Sequence, residues 1–514
     1  MKVLFINPHE IYHREYDYFR IGNNLGIAYL SSVVKQLRHE VGFVDCAAEN
    51  LTHEEEISPN LYMVGLSQDE IEKRIIDFKP DLICISCQRT PQYYSVERLV
   101  KIIRCLDKHI KIAVGGVHIT GLYEYVFRHL GVDYVIRGEG EIAIMKLLEH
   151  LQGRRRLEEI PGIVFLNDGK VCVTRQNHVF NLDLLPDPDY GIFKKELYAN
   201  PRFHTGVIRG RYLVDYIYSR GCPNNCTFCM ASKVNGVMRR SFSVERIYNQ
   251  LHYIKELGYD EVLIEDDDVL ADAEFSIKVF QILHKLGFYW SILNGLNRVL
   301  LSMELIEKIA ELGCNRVYYP VETINYSVIK EHKKFWRNYR NMLEPTPQFV
   351  KKFTELGVET FGGFMIGFPY ETREQIMATI DYARFLREEC GLGVALFFIV
   401  TPYPGTQLYQ EALARNWLYM PEKWELYTFE RGNMFNGVLT PWELTELRKE
   451  AMPKANGAIL YNEIIDKNHR PNILKFYQQH PEYKWSKYFL KNVRKATKGI
   501  ENEQEEKNKK EKAA

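Results

Sequence analysis

The 514-residue sequence has no excess of either charge, no long hydrophobic run and few cysteines for its length. Its 67 Lys and Arg residues balance its 67 Asp and Glu residues, so the overall charge gives no reason to expect nucleic acid as a partner. The longest apolar stretch, Leu392 to Val400, is far shorter than the ~20 residues that a membrane-spanning helix needs. We therefore expect no transmembrane segment.

Cysteine content and the first residues indicate the compartment. The initial MKVLFINP is too short an apolar run for a signal peptide, and ten cysteines are too sparse for a disulfide scaffold. We expect a cytoplasmic protein. In a reducing compartment a tight group of cysteines indicates a metal or catalytic site, and three of the ten fall within eight residues.

The first 150 residues alternate between short β-branched runs and amphipathic helical segments, as in a doubly wound parallel sheet. The predicted strands are Val3 to Ile6, Val41 to Asp45, Leu82 to Cys87, Ile112 to Val114 and Tyr134 to Ile136. This pattern predicts a Rossmann-like domain over residues 1–150. Ligands of such sheets bind at the carboxyl ends of the strands, so the loops after these runs are candidate binding loops.

After a Pro- and Asp-containing linker over residues 151–211, a second strand and helix series begins. Its predicted strands are Val214 to Tyr218, Glu261 to Ile264, Trp290 to Leu293, Arg316 to Tyr319, Thr360 to Ile366 and Ala395 to Val400. The series predicts an α/β barrel of the (β/α)6 TIM type, complete or partial, over residues 212–410, with its site at the carboxyl ends of the strands. A mostly helical region over 411–500 and a disordered charged tail over 501–514 should follow.

The pattern Cys222-x3-Cys226-x2-Cys229 directly follows the first strand of the second domain. Three thiolates in one tight loop can hold an iron–sulfur cube whose fourth iron lacks a protein ligand. A zinc site or three buried thiols are the alternatives. Structural zinc sites usually close with four ligands, and no fourth Cys or His lies in this loop, which favours the cluster.

The cysteine pattern, the aromatic Phe228 before the last cysteine and the six-fold series resemble the radical S-adenosylmethionine (radical SAM) superfamily. The resemblance implies that Cys222, Cys226 and Cys229 bind a 4Fe-4S cluster and that Phe228 packs on the adenine of S-adenosylmethionine. In that family the open iron binds the cofactor's amino and carboxylate groups, and an electron from the cluster yields a 5′-deoxyadenosyl radical.

Further cofactor contacts are implied at the ends of the later barrel strands. Acidic side chains after the second strand could accept hydrogen bonds from the cofactor's ammonium group, and later positions could meet its carboxylate, ribose and adenine. A solvated acidic turn or a surface ion pair would explain some of the same residues. The implied S-adenosylmethionine contacts are Glu265, Asp267, Arg298, Glu322, Gly363, Ile366 and Tyr403.

The first domain resembles the cobalamin-binding domain that precedes the barrel in one branch of this superfamily, and the anaerobic magnesium-protoporphyrin ester cyclase subgroup looks nearest. The two resemblances cover roughly residues 1 to 410. The implied cobalamin contacts are Asn7, Ser86, Gly115, Gly116, Val117, His118, Gly138 and Glu139. A sheet that keeps this shape without binding a corrinoid is the alternative.

One departure concerns the cobalt ligand. The D-x-H-x-x-G motif that supplies a histidine to cobalt in many cobalamin proteins is missing, and neither His9 nor His13 has that context. We therefore expect no histidine from the protein below the cobalt. His118 is interpreted as a residue that anchors backbone and not as a metal ligand.

Two smaller motifs have structural interpretations. Cys84 and Cys87 are three positions apart on a predicted strand and should face opposite sides, which argues against a redox pair. The basic and aromatic segment from Lys333 to Arg340 could line a single-stranded nucleic-acid groove, but we favour a solvated helix or loop near the substrate entrance.

Together these features predict a cobalamin-dependent radical SAM enzyme that functionalises an unactivated C–H bond, by methyl transfer in the favoured hypothesis. The substrate should be a small molecule or peptide, with an electron donor such as flavodoxin or ferredoxin and no nucleic acid. An oxidative cyclase or rearrangement enzyme with the same cofactors is the main alternative. An RNA methylthiotransferase and a non-catalytic cobalamin sensor are weaker ones, since the first domain shows no obvious second set of cluster cysteines.

Overall fold

The computed structural model describes residues 1–13, 21–198, 209–332 and 343–456. The strands of its first part are β1 (Lys2–Asn7), β2 (Glu10–His13), β3 (Glu40–Asp45), β4 (Glu54–Ser58), β5 (Leu61–Val64), β6 (Leu82–Ser86), β7 (Lys111–Gly115), β8 (Tyr134–Ile136), β9 (Ile163–Asn167) and β10 (Lys170–Val173). The helices are α1 (Leu25–Gln36), α2 (Gln68–Phe78), α3 (Tyr93–Leu106), α4 (Val117–Gly121), α5 (Tyr123–Leu130) and α6 (Glu141–Leu151).

Seven of these strands form one sheet in the order β10-β9-β8-β7-β6-β1-β3. The strands from β3 to β8 are parallel, and the strand order reverses between β1 and β6. This is the doubly wound arrangement that the sequence predicts, and its ligand crevice lies outside the carboxyl ends of β1 and β6. Their last residues are Asn7 and Ser86.

Two features of this domain differ from the sequence prediction. The antiparallel hairpin of β9 and β10, which falls in the predicted linker, extends the sheet beyond residue 150. A second, three-stranded sheet has the order β2-β5-β4. The sequence gives little signal for β4, because its EEEIS lacks the apolar alternation of a half-buried strand.

The second part contains β11 (Leu213–Tyr216), β12 (Ser219–Arg220), β13 (Arg240–Ser241), β14 (Glu261–Ile264), β15 (Tyr289–Ile292), β16 (Cys314–Glu322), β17 (Glu359–Ile366) and β18 (Val394–Ile399). Its helices are α7 (Ala231–Val234), α8 (Val244–Glu256), α9 (Ala273–Lys285), α10 (Met303–Glu311), α11 (Tyr326–Ile329), α12 (Thr346–Glu355), α13 (Arg373–Cys390), α14 (Gln407–Ala414) and α15 (Pro441–Asn456).

Six of the second set of strands form a parallel sheet in chain order, β11-β14-β15-β16-β17-β18. Within the described residues β11 does not pair with β18, so the predicted barrel is partial. Helix α15 covers the outer strand β18, where the Asn456 amide bonds both backbone groups of Ala395 and Arg448 Nε donates to the Phe397 carbonyl. These contacts block an edge that could otherwise pair with another chain.

The first domain and the region after the barrel share one hydrophobic core. Tyr409, Trp424 and Tyr427 belong to the same buried cluster as residues of β6, β7 and α3. A Cβ on Gly121 would lie 2.2 Å from the Pro404 carbonyl oxygen, so the backbones of the two domains touch at this point. The two sets of carboxyl-end loops are therefore held against each other.

No helix in the described ranges is long and apolar enough to cross a membrane. The predicted segment from Lys333 to Arg340, the chain beyond residue 456 and the predicted tail over 501–514 lie outside the described residues.

Candidate active site

The three clustered cysteines lie in a tight loop after β12, and each side chain is half-buried. The Cys229 amide donates to the Cys226 carbonyl at 3.1 Å, and the Cys222 amide donates to the Gly236 carbonyl at 3.1 Å. Gly221 has φ +97°, and a Cβ there would lie 2.2 Å from the Met238 carbonyl oxygen. Only glycine fits this position, so the turn into the cysteine loop depends on it.

Two of the three sulfur atoms accept hydrogen bonds from neighbouring residues. Asn224 Nδ2 donates to Cys222 Sγ and the Ala231 amide donates to Cys229 Sγ, both at 3.4 Å. Such bonds tune iron–sulfur clusters. Burial raises the pKa of the Cys222 thiol, which favours its protonated form, and a bound cation would oppose this effect by stabilising the thiolate.

The donor set of this loop fits an iron–sulfur cluster. No disulfide forms, and the loop offers three soft sulfur ligands without a fourth. Among the described side chains no three His, Cys, Asp or Glu residues gather around a single metal-ion position. Cys222, Cys226 and Cys229 therefore stay the predicted cluster ligands.

The acidic run after β14 holds this loop through hydrogen bonds. Asp266 Oδ1 accepts from Ser219 Oγ at 2.5 Å, and Asp267 Oδ2 accepts from the Gly221 amide at 2.8 Å. Asp266 is fully buried, and this burial raises its pKa to about 7. The solvated-turn interpretation is therefore wrong for Asp266.

The remaining acids of the run contact neighbouring amides. Asp268 Oδ2 accepts from Asn224 Nδ2 at 3.3 Å and from Asn297 Nδ2 at 3.1 Å. Glu265 accepts from the side chain of Asn294. The predicted contacts of Glu265 and Asp267 with the cofactor's ammonium stay predictions.

A buried histidine fixes the middle of the cysteine loop from the other side. His332 Nδ1 lies 2.8 Å from Thr227 Oγ1, and the Leu408 amide donates to the Thr227 carbonyl at 2.9 Å. The ring of Phe228 meets that of Phe368 edge-on, with centroids 5.8 Å apart. Phe228 is half-buried and open to a ring contact, and its predicted packing on adenine stays a prediction.

Arg298 and Glu322 lie where β15 and β16 lead to the carboxyl edge of the sheet. The Arg298 guanidinium is buried and donates to the Val321 carbonyl at 3.2 Å and to Thr346 Oγ1 at 3.4 Å. Glu322 ends β16 with φ +67°, a strained conformation for this residue type. Both side chains are buried, so neither is a surface ion pair; their roles toward the cofactor stay predictions.

Gly363 and Ile366 of β17 face opposite sides of the sheet. A Cβ on Gly363 would lie 1.8 Å from the hydroxyl oxygen of Tyr318, which therefore lies across the glycine on the inner face of the barrel. Ile366 is fully buried in the core under the helices. Tyr403 is half-buried after β18 and packs against the first domain's core. The Tyr318 side chain therefore fills the space that a side chain on residue 363 would need, and the contacts predicted for Gly363, Ile366 and Tyr403 with the cofactor stay predictions.

In the first domain, Asn7 and Ser86 meet at the point where the strand order reverses. Asn24 Nδ2 donates to Asn7 Oδ1 at 3.0 Å and to Ser86 Oγ at 3.1 Å. Asn7 Nδ2 donates in turn to buried Asp45 at 3.1 Å, and burial raises the Asp45 pKa to about 6. The sequence-predicted pair is thus joined in one polar network at the ligand crevice.

The loop after β7 contains Gly115, Gly116, Val117 and His118. Gly116 has φ +111°, and a Cβ there would lie 2.3 Å from the Cys87 carbonyl oxygen. His118 is buried between the rings of Tyr93 and Trp424, and its Nδ1 lies 3.2 Å from Thr90 Oγ1. Burial lowers the pKa of His118 to about 3, so the ring is neutral. The contacts predicted for this loop with cobalamin stay predictions.

Gly138 and Glu139 follow β8. Gly138 has φ +71°, and its amide donates to Thr120 Oγ1 at 3.0 Å. The Glu139 carboxylate accepts two hydrogen bonds from Arg240, at 2.7 and 3.0 Å. Burial by itself would raise the Glu139 pKa, but the arginine bonds and charges lower it below its usual value. The contacts predicted for these residues with cobalamin stay predictions.

Comparison with known proteins identifies both halves of this arrangement. Residues 19–148 match the B12 binding domain, and residues 216–383 match the Radical SAM superfamily. The uncharacterized methyltransferase PH0819 of Pyrococcus horikoshii is 31% identical over 418 residues, which cover 79% of this chain and 82% of that protein. The chain belongs to the cobalamin-dependent radical SAM methyltransferase family.

Two further comparisons give a more distant relative in sequence and a match in fold. The anaerobic magnesium-protoporphyrin IX monomethyl ester cyclase of Rubrivivax gelatinosus is 27% identical, over 86% of this chain and 74% of the cyclase. The radical S-adenosylmethionine methyltransferase TsrM from Kitasatospora setae, solved with cobalamin and a [4Fe-4S] cluster bound, matches the fold with a TM-score of 0.66. That structure covers 97% of this chain and 99% of TsrM at 14% identity.

As a cobalamin-dependent radical SAM methyltransferase, the protein uses a 4Fe-4S cluster, S-adenosylmethionine and cobalamin. His9 gives no sign of a cobalt ligand, because its Nδ1 lies 2.7 Å from Ser95 Oγ and its Nε2 lies 2.8 Å from the Leu66 carbonyl oxygen. The expected absence of a histidine ligand stays a prediction.

Cys84 and Cys87 of the first domain do not form a redox pair. Cys84 and Cys87 belong to separate hydrophobic cores on opposite faces of the sheet, as the sequence predicts. Burial raises the pKa of the Cys84 thiol to about 12. Inert thiols of this kind do not support the methylthiotransferase alternative.

The sequence analysis missed several polar residues that hold the site together. The fully buried Glu371 accepts from the Gly367 amide at 2.8 Å and from Asn325 Nδ2 at 3.2 Å, which joins the loops after β17 and β16. Arg220, adjacent to the cysteine loop, contacts the first domain. In the sequence, the role of Arg220 is indicated only by its position directly before the cysteine motif. No sequence feature indicates the role of Glu371.

Proposed function

We propose that the protein transfers a methyl group to an unactivated carbon of a small-molecule or peptide substrate. The bound cofactors supply the radical and the methyl group. The chain's own residues must then hold both cofactors over one chamber and exclude water from it. The observation that carries the proposal is the facing of the two carboxyl-end loop sets, which meet where Gly121 touches Pro404.

On the barrel side, the residues act as a positioning frame. Cys222, Cys226 and Cys229 would hold the cluster, and the acids after β14 fix the shape of their loop. On the other side, the Asn7 and Ser86 network would support the corrinoid.

An electron donor such as flavodoxin or ferredoxin is part of the proposal, since the cluster must be reduced before S-adenosylmethionine is cleaved. We also propose a reducing compartment, the cytoplasm. All ten cysteines are free, and the cluster-loop thiols must stay reduced to bind iron.

The test is anaerobic purification with iron, sulfide and corrinoid analysis, followed by identification of the products under reduction with candidate substrates. Methyl transfer predicts both S-adenosylhomocysteine and 5′-deoxyadenosine, together with a substrate heavier by one methylene. Cyclisation or rearrangement would yield 5′-deoxyadenosine without S-adenosylhomocysteine, and that result would contradict the proposal.

A matched variant separates the two cofactor sites. Cys226→Ala should abolish 5′-deoxyadenosine formation and leave the corrinoid bound. The control is Cys105→Ala, an exposed cysteine of the first domain that should leave both unchanged. Cleavage by Cys226→Ala at the wild-type rate would overturn the assignment of the cluster loop.

A further inference from the structure

A buried ion-pair network connects the first domain directly to the cluster loop. Arg220 Nη2 donates to Glu141 Oε1 at 2.7 Å, and Arg220 Nη1 lies 3.6 Å from Glu139 Oε1. Arg240 forms a two-pronged contact with the Glu139 carboxylate. We call Glu139, Glu141, Arg220 and Arg240 the interdomain clamp.

The clamp is shielded from water. Its four side chains are between 3% and 7% exposed. The Arg220 guanidinium also lies 4.6 Å from the ring centroid of Tyr29 on α1, and Tyr29 stacks on Phe242 of the second domain. Removing one partner from a buried pair leaves an uncompensated charge, which is costly. The network therefore resists small shifts between the domains.

The clamp ends at the cysteine loop. Arg220 is two residues before Cys222, and the intervening Gly221 amide donates to Asp267 at 2.8 Å. Asp267 also accepts from Asn235 Nδ2, and the Asn235 carbonyl accepts from Arg240 at 2.6 Å. The loop after β8 is thus linked to both sides of the cluster loop through buried polar contacts.

We propose that the interdomain clamp is a positioning device that sets the distance between the corrinoid and S-adenosylmethionine sites. Glu139 and Glu141 act through Arg220 and Arg240 and not by touching a cofactor. The inference rests on the proposed function, because only a reaction that uses both cofactors together needs a fixed spacing. A misplacement of about 1 Å can lower such a rate by about a hundredfold.

The test uses Glu139→Gln and Glu141→Gln in the full-length holoenzyme, with Asp133→Asn as the matched control. Asp133 pairs with Arg104 at 2.7 Å inside the first domain and crosses no domain boundary. We expect corrinoid affinity and iron content within about twofold of wild type for all three. The ratio of methylated product to 5′-deoxyadenosine should fall about tenfold or more in the two clamp variants alone.

Redox titration of the cluster gives a second measurement. Its midpoint potential should not change if the clamp residues have only a structural role. Neutralising either glutamate leaves Arg220 positive beside the cluster loop, so the midpoint potential of the cluster should rise. Arg220→Lys keeps the positive charge but loses the planar guanidinium that contacts Glu139 and Glu141 together. This variant should keep the wild-type cluster potential and still lower the product ratio. Glu141→Gln loses fewer contacts than Glu139→Gln and keeps the test valid if the latter folds poorly.

Two outcomes would overturn the proposal. A corrinoid affinity that falls more than tenfold in Glu139→Gln would make Glu139 a cofactor contact. A product ratio and a cluster potential equal to wild type in both clamp variants would show that the clamp does not position the sites. Failure of the proposed function looks different. If the wild-type protein forms no methylated product, the change in cluster midpoint potential in the two clamp variants still shows whether Glu139 and Glu141 neutralise the charge of Arg220.

Discussion

Single atoms decide what the inner face of the barrel can accept. Residue 363 has room only for glycine because the hydroxyl of Tyr318 occupies the space that a side chain would need. The Glu371 carboxylate acts at the same small scale. It accepts hydrogen bonds from the backbone amides of Gly367 and Phe368 and from the side-chain amide of Asn325. Neither residue belongs to the cysteine motif, yet both shape the edge where that motif acts.

Gly363→Ala should lower stability and activity together. The added Cβ would overlap Tyr318, and overpacking of this kind costs about 1–3 kcal/mol. Urea unfolding and 5′-deoxyadenosine formation measure the two effects. Gly191→Ala is the control, because its nearest neighbour would lie at an ordinary 3.4 Å. Equal effects of the two variants would contradict the prediction.

Glu371 should make stability pH-dependent. Burial raises its pKa from 4.5 to about 7, so the folded state binds this proton more tightly than the unfolded state. The free energy of unfolding should therefore fall by up to about 3 kcal/mol as pH rises from about 4.5 to 7. Glu371→Gln should show a smaller fall than wild type, because buried Asp266 and Asp45 keep their own contributions, whereas Glu388→Gln, exposed on α13, should keep the full fall. Urea unfolding across pH 5 to 8 compares the three proteins.

At the scale of elements, the cysteine loop is held at several points by neighbouring segments. The acids after β14 bond its beginning, and His332 and the start of α14 bond its middle through Thr227. The loop therefore owes its shape to three segments that are distant in sequence. Loss of one anchor should loosen the loop without unfolding the barrel.

Thr227→Val tests this anchoring. The substitution removes the contact with His332 Nδ1 and should cost about 1 kcal/mol locally, the usual contribution of one hydrogen bond. Iron content after reconstitution should fall, and the cluster should degrade faster in air. Ser232→Ala, which removes a more exposed bond to Asn225 in the same region, should behave like wild type. Wild-type iron retention in Thr227→Val would show that the anchor is dispensable.

At the scale of the whole molecule, the region after the barrel is part of the first domain's core. Trp424 is buried against Tyr93, His118 and Tyr125, with ring centroids 5.4 Å apart in each pair. The chain thus returns from the second domain to complete the first. We expect the two domains to unfold as one cooperative unit.

Trp424→Ala should break that cooperativity. Truncating a buried tryptophan lowers the free energy of unfolding by about 3–5 kcal/mol. Here the lost contacts are those between the region after the barrel and the first domain. Calorimetry should show one transition for wild type and two for the variant. Trp442→Ala, with 66% of the residue exposed, should keep a single transition and change stability by less than about 0.5 kcal/mol. Two transitions already in wild type would contradict the shared core.

The sequence by itself determined the parallel strands of the two main sheets, the cysteine loop and the family. Periodicity and motif spacing are local properties of the chain, so β14 and β8 were predicted with their observed ends. The hairpin of β9 and β10 escaped because short strands in a Pro-rich segment give a weak pattern.

Only the tertiary structure decided which charged residues, distant in the sequence, pair with each other. The Glu139 carboxylate pairs with Arg240, 101 residues later in the chain, and no pattern around either residue indicates this pairing. The burial of Arg298 and Ile366 is also visible only in the folded chain. Pairing of buried charges depends on which surfaces meet after folding, and a sequence pattern of short period carries no information about that.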